Sequence, residues 1–124
     1  MDFVNIDPAA VAEWHAHVYY DPDKTKDAAA RLRERIAHAF PDLRIGRWHD
    51  ESVGPHIASM YQVVFPPARF GAFVPWLALN RDGLSILVHP IAADAWSDHV
   101  VYGVWLGERL PLNEPVLRRN RGRD

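Results

Sequence analysis

At 124 residues with 48% hydrophobic content, the chain is long enough for one hydrophobic core and short for two, so a single domain over residues 1–124 is expected. Fourteen Lys plus Arg against sixteen Asp plus Glu leave a formal charge of −2, which provides no field for gripping a polyanion and argues against nucleic acid as a partner. The chain has no cysteine, which excludes disulfides, thiolate metal sites and a cysteine nucleophile; any metal must be held by nitrogen and oxygen.

The opening stretch, "MDFVNIDPAAVAEWHAH", has an acidic second residue and no basic region ahead of an apolar run, and no segment approaches the ~18 apolar residues of a membrane span. A cytoplasmic protein with no membrane contact is expected. From Glu13 to Tyr20, β-branched and aromatic residues ending at Asp21-Pro22 predict a strand. Over Lys24 to Phe40 the period changes: Ala28, Leu32, Ile36 and Phe40 recur along one helix face until Pro41 stops the pattern. Leu43 to Trp48 is a short strand candidate, "DESVGPH" a turn, and "HIASMYQVVF" (His56 to Phe65) a longer strand. After Pro66-Pro67 a second helix places Phe70, Phe73, Val74 and Leu77 on one face, with Pro75 either kinking it or marking a later start. A turn at Asp82-Gly83 leads into a last strand closed by Pro90.

The order βαββαβ predicts an α+β fold, a ferredoxin-like sandwich: a four-stranded antiparallel sheet, first and third strands central, with both helices on one face. The remaining stretch, "IAADAWSDHVVYGVWLGERLPLNEPVL", is too apolar for a disordered tail and is expected to form a short helix and an extended arm over the open face or a subunit contact, with a homodimer expected for the same reason. Residues 113–124 read as a basic tail in which Arg118, Arg119, Arg121 and Arg123 are solvated.

Strand parity then sorts the histidines. Trp14, Ala16, Val18 and Tyr20 point toward the helices, leaving His15, His17 and Tyr19 on the open face. Leu84, Ile86 and Val88 do the same in the last strand, leaving Ser85, Leu87 and His89 opposite. Placing Ile57, Tyr61, Val63 and Phe65 inward leaves His56, Ala58, Met60 and Gln62 outward. His15, His17, His56 and His89 therefore converge from three strands spaced about 5 Å apart. Neutral imidazole suits zinc and ferrous iron, and a pair two apart on a strand can offer two nitrogens to one ion. Glu13, Asp94 or Asp98 would supply the carboxylate of a two-histidine, one-carboxylate site; an all-histidine set is equally open. His49 in "RWHDE" reads as a solvated loop histidine that could assist as acid or base, and His38 as a structural cation near a helix C-terminus. Trp76, Trp96, Tyr102 and Trp105 read as packing residues. No P-loop, GxGxxG or GxSxG is present.

The stretches "WHAHVYYDP" (Trp14 to Pro22), "GPHIASMYQVVF" (Gly54 to Phe65), "PWLALNRDGLSILVHP" (Pro75 to Pro90) and "DHVVYGVWLGERLPL" (Asp98 to Leu112) resemble, in order and spacing, the successive motifs of the DOPA 4,5-dioxygenase family, over residues 13–112. Departures from the family pattern at Ile57, Ala92 and Ala93 leave the histidines intact. The resemblance implies a ferredoxin-like domain and extradiol cleavage of a small catechol such as DOPA with O2. The expected cofactor is iron(II), with zinc as the other occupant the histidines would accept. His17 and His89 are the preferred ligands, His56 and His15 are ligand or acid–base candidates, and His99 is placed to close the site. Tyr19, Gln62 and Ser85 are expected to orient the ring or its substituent. The competing classes are a small-aromatic or metal-binding module without catalysis and a zinc enzyme of non-oxidative chemistry.

Overall fold

The computed structural model describes residues 4–119. Strand β1 (Glu13–Tyr20) is the spine of the sheet. On one side it pairs with β3 (Ser59–Phe65), His17 opposite Gln62, and on the other with β4 (Ile86–Ile91), His15 opposite His89. The outer strands are β2 (Arg44–Ile45), on β3, and β5 (Val104–Leu106), on β4. All pairings are antiparallel and the order is β2-β3-β1-β4-β5. This is the ferredoxin-like arrangement with one strand more than expected: part of the apolar C-terminal stretch extends the sheet instead of lying wholly across it, satisfying β4 backbone groups that would otherwise form an open edge.

Helices α1 (Lys26–Ala39) and α2 (Phe70–Asn80) cover one face. The alternation in β1, β3 and β4 explains why: Ala16, Val18, Tyr61, Val63, Phe65, Ile86 and Val88 are fully buried in one cluster with Leu32 and Ile36 of α1 and Phe73 and Leu77 of α2. In α1 the spacing of three and four buries Ala29, Leu32 and Ile36, and Pro41 follows the non-helical Phe40 that ends it. Pro75 lies inside α2 without shortening it, since the carbonyl it leaves without an N–H belongs to solvent-exposed Gly71. Tyr61 ties sheet to helix by donating its hydroxyl to the Ala29 carbonyl at 2.8 Å. Tyr61→Phe is expected to cost about 1 kcal/mol by removing that hydrogen bond, read as a fall in thermal midpoint of roughly 5 °C.

Two further expectations are corrected. The strand expected from His56 begins at Ser59, because the Gly54-Pro55 turn and the bend after it leave positions 56–58 without ladder partners beyond single bridges of His56 to Val53 and Leu112. Ile57 accordingly is not inward-facing but 52% exposed. The second is β2, where continuous pairing stops after Ile45 and resumes only at His49.

The other sheet face carries a smaller cluster, Tyr19, Met60 and Leu87, roofed by Trp105, Leu110 and Leu112 of the C-terminal stretch. That stretch first makes a π-helical turn, Ser97–Val101, and ends in α3 (Glu114–Arg119), whose Leu117 is buried. Arg118 and Arg119 belong to α3, whereas Arg121 and Arg123 lie outside the described residues. Among the described residues no helix is long and apolar enough to cross a membrane.

Candidate metal centre

Five histidines meet on this face of the sheet. His15, His17, His56, His89 and His99 are all buried, between 0% and 7% exposed. β1 and β4 position three of them by register, and His17 Nε2 lies 2.9 Å from His89 Nε2. The bridge of His56 to Leu112 brings the loop histidine over β1, its ring 4.0 Å from that of His17. The π-helical turn, a geometry frequent at functional sites, directs His99 inward until its ring is 3.8 Å from that of His89. Among the described residues, two groups of three have ligand atoms within 4.8 Å of one another: His15, His17 and His89, and His17, His56 and His99. His17 belongs to both.

The outer partners define the tautomers, since a carbonyl oxygen can only accept. His89 Nδ1 donates to Pro90 O at 3.0 Å and His99 Nδ1 to Ala95 O at 2.7 Å, so in each neutral ring the lone pair is on Nε2. His15 Nε2 is hydrogen-bonded to the Glu13 carboxylate, and His56 Nδ1 to the Tyr19 hydroxyl at 2.7 Å. Such backing by carboxylate or carbonyl is what metal-ligating histidines use to hold orientation. The donor set fits an ion: nitrogens each about 2.1 Å from one metal lie ~3 Å apart at a right angle, matching the His17–His89 separation. His17 Nδ1 is buried without a hydrogen-bond partner.

Burial first, then the neighbouring His56, His89, His99 and His15, hold the His17 pKa well below its ordinary 6.5. His17 is therefore neutral at pH 7, the form that binds metal. The unfolded chain binds the His17 proton more readily than the folded one, so stability rises with pH up to about 6.5 and is lost as pH falls below it. The metal-free protein is expected to melt at progressively lower temperature from pH 7 to pH 5. A His17→Asn variant should show a shallower dependence in the same calorimetric series.

A cavity of about 200 Å³ opens beside His17 and His56, walled by Met60, Gln62, Val53, Gly54, Pro55 and His49. Gln62 thus stands where parity put it, and Tyr19 reaches the site through His56. Ser85 instead lines a second cavity with Tyr19, Thr25 and Glu108 that, among the described residues, shares no wall residue with the first. The carboxylates take other work. Asp98 accepts from the backbone N–H groups of Ala92 and Ala93, Asp94 from Ser97, and Glu13 supports His15. Neither candidate ligand group among the described residues contains a carboxylate. His49, expected to be solvated, is half-buried in the cavity wall. Nothing in its sequence neighbourhood signals this, because it depends on how β2 meets β3.

Fold and site together define an α+β protein that presents a buried all-histidine cluster on the sheet face away from its helices. The family model for the Dopa 4,5-dioxygenase family matches residues 14–116, and the chain belongs to that family. It is 39% identical over 124 positions to an uncharacterized 21.2 kDa protein of Botryotinia fuckeliana, covering 92% of this chain and 68% of that one. It is 30% identical over 119 positions to DOPA 4,5-dioxygenase of Amanita muscaria, covering 90% of this chain but spanning only 52% of the relative. A crystal structure of a candidate dioxygenase from Nostoc punctiforme is 50% identical and superposes with a TM-score of 0.88 over 93% of this chain and 98% of that one. Family and neighbour point to a dioxygenase-like enzyme acting on a small molecule.

Proposed function

We propose that this chain is a non-haem extradiol dioxygenase that opens the ring of a small catechol with O2. The observation that carries this reading is the cluster of five buried histidines beside a cavity of about 200 Å³. His15, His17 and His89 would hold the ion, which we take as iron(II); zinc is the occupant the same nitrogens would accept in its place. When bound, such an ion lowers the pKa of the catechol hydroxyls and supplies the site for O2.

The chain's own residues do the rest. His56, on the cavity wall and held at Nδ1 by Tyr19, accepts a catechol proton at Nε2 and returns it as the ring opens. Gln62 steadies the ring from the same wall, and His99 packs against His89 from the roof side. Leu87, Trp105 and Leu112 keep water from the centre. The reaction balances without a reductant: one ring carbon–carbon bond next to the hydroxylated carbons breaks, and both oxygen atoms enter the ring-opened product. A homodimer belongs to the same proposal, supported by exposed Val101 and Val104 on and beside the free edge of β5.

Anaerobically purified protein loaded with ferrous iron, then given oxygen and a panel of catechols, should develop the yellow absorbance of a ring-cleavage product with one O2 consumed per ring. Bound iron with no absorbance change for any catechol would instead indicate a binding module of the same fold.

A further inference from the structure

His49 reaches the cavity through a break in sheet register. Ile45 pairs with Val63 and Gly46 N donates to Gln62 O at 2.6 Å, yet His49 pairs with Met60, exchanging backbone hydrogen bonds of 2.9 and 3.0 Å. Two residues, Arg47 and Trp48, therefore stand opposite the single residue Tyr61. This is a β-bulge, and bulges next to active sites re-aim side chains. In unbroken register Trp48 would sit opposite Met60 on the histidine face, and His49 would point toward the helices. With the bulge, Trp48 packs edge-on against Tyr61 and Tyr20 in the helix-side core, and His49 shares the open face with Met60.

The neighbours suit a ligand-reading role. Gly46 stands across from Gln62, where even a Cβ would come within 3.3 Å of the Gln62 carbonyl, so no side chain at that position crowds the cavity wall. Asp50, the acid next to His49, is turned away by the Tyr20 hydroxyl and by Lys26 Nζ at 2.9 and 2.7 Å. No carboxylate among the described residues lines this cavity, whereas the His49 imidazole and the Gln62 amide can both donate hydrogen bonds into it. Donors without a competing acid favour an anionic group over an ammonium.

We propose that His49, with Gln62, binds a carboxylate carried on the side chain of the catechol while His17 and His56 face the reacting end. This rests on the reading of the cavity as a catechol site. Substrates with a charged tail are thereby selected over bare or alkyl catechols.

The test compares dihydrocaffeate with methylcatechol on iron-loaded protein. His49→Ala should lower the ratio of kcat/KM for dihydrocaffeate over methylcatechol about tenfold, chiefly through KM, with metal content retained. His49→Gln, which keeps an N–H donor, should recover most of the ratio. An unchanged ratio, or equal losses on both substrates, overturns the proposal while leaving ring cleavage standing. Should wild-type protein cleave neither catechol, the ring-cleavage reading fails, and calorimetry under nitrogen decides the role of His49. Phloretate binding tighter than para-cresol, with that preference lost about tenfold in His49→Ala, supports it; no difference between wild type and variant rejects it.

Discussion

Replacing His17 by alanine is expected to empty the centre of metal and abolish turnover. The side chain is 1% exposed and is the one residue common to both groups of three histidines able to share an ion. Its low pKa keeps it a neutral donor at physiological pH, and its Nε2 lies against that of His89. Losing an outer hydrogen-bond partner of a metal ligand typically costs roughly 10–100-fold in affinity, so losing this ligand should exceed that range. Metal analysis after equilibration with ferrous iron, beside a circular dichroism spectrum showing retained folding, checks it. A His17→Ala protein with full metal and activity would remove the core of the functional proposal. The same series separates the two groups: His89→Ala should lose metal and His99→Ala should keep it, and the opposite pattern would move the ion to His17, His56 and His99.

Gly103→Ala should be the most damaging small substitution. Gly103 follows the π-helical turn that presents His99, and a Cβ there would overlap the backbone carbonyl of His99 and come within 2.9 Å of Leu87 Cδ1. A backbone atom cannot step aside as a flexible side chain does. The turn must therefore shift, carrying His99 away from His89 or pushing Leu87, which pairs with His17 across the ladder. Overpacking of this kind costs at the upper end of ~1–3 kcal/mol, a fall of roughly 10 °C in thermal midpoint for a domain of this size. Turnover should fall with it. Gly71→Ala, at an exposed helix position with nothing within 4 Å, should leave stability unchanged or raise it by about 0.5–1 kcal/mol. Equal thermal midpoints for the two variants would contradict this account.

Much of the centre follows from local pattern. Alternation in "EWHAHVYY" and "SILVHP" is enough to put His15, His17 and His89 on the face opposite Ala16, Val18, Ile86 and Val88, because side chains along a strand can only alternate. The spacing of Leu32 and Ile36, and of Phe73 and Leu77, likewise assigns the helices to the other face. His56 reaches its expected face by a different route, since it sits in no strand and is held by single bridges to Val53 and Leu112.

By itself, then, the sequence determined the βαββαβ order, the helix-covered face, the family and the shared side of the strand-borne histidines, all of which depend on periodicity and motif order. Tertiary structure decided the pairings that periodicity does not encode. It bonds Tyr19 to His56, spends Asp94 and Asp98 on backbone N–H groups, adds β5 to the sheet and puts Ser85 in a separate cavity. It also turns "WHAHVYY" from a pair of histidines into part of a five-histidine cluster, because His56 and His99 arrive from segments whose position depends on the whole chain being folded. The bulge before His49 has the same origin. Whether one or two residues face Tyr61 depends on where Trp48 finds room in the core, and only the packed sheet and helices settle that.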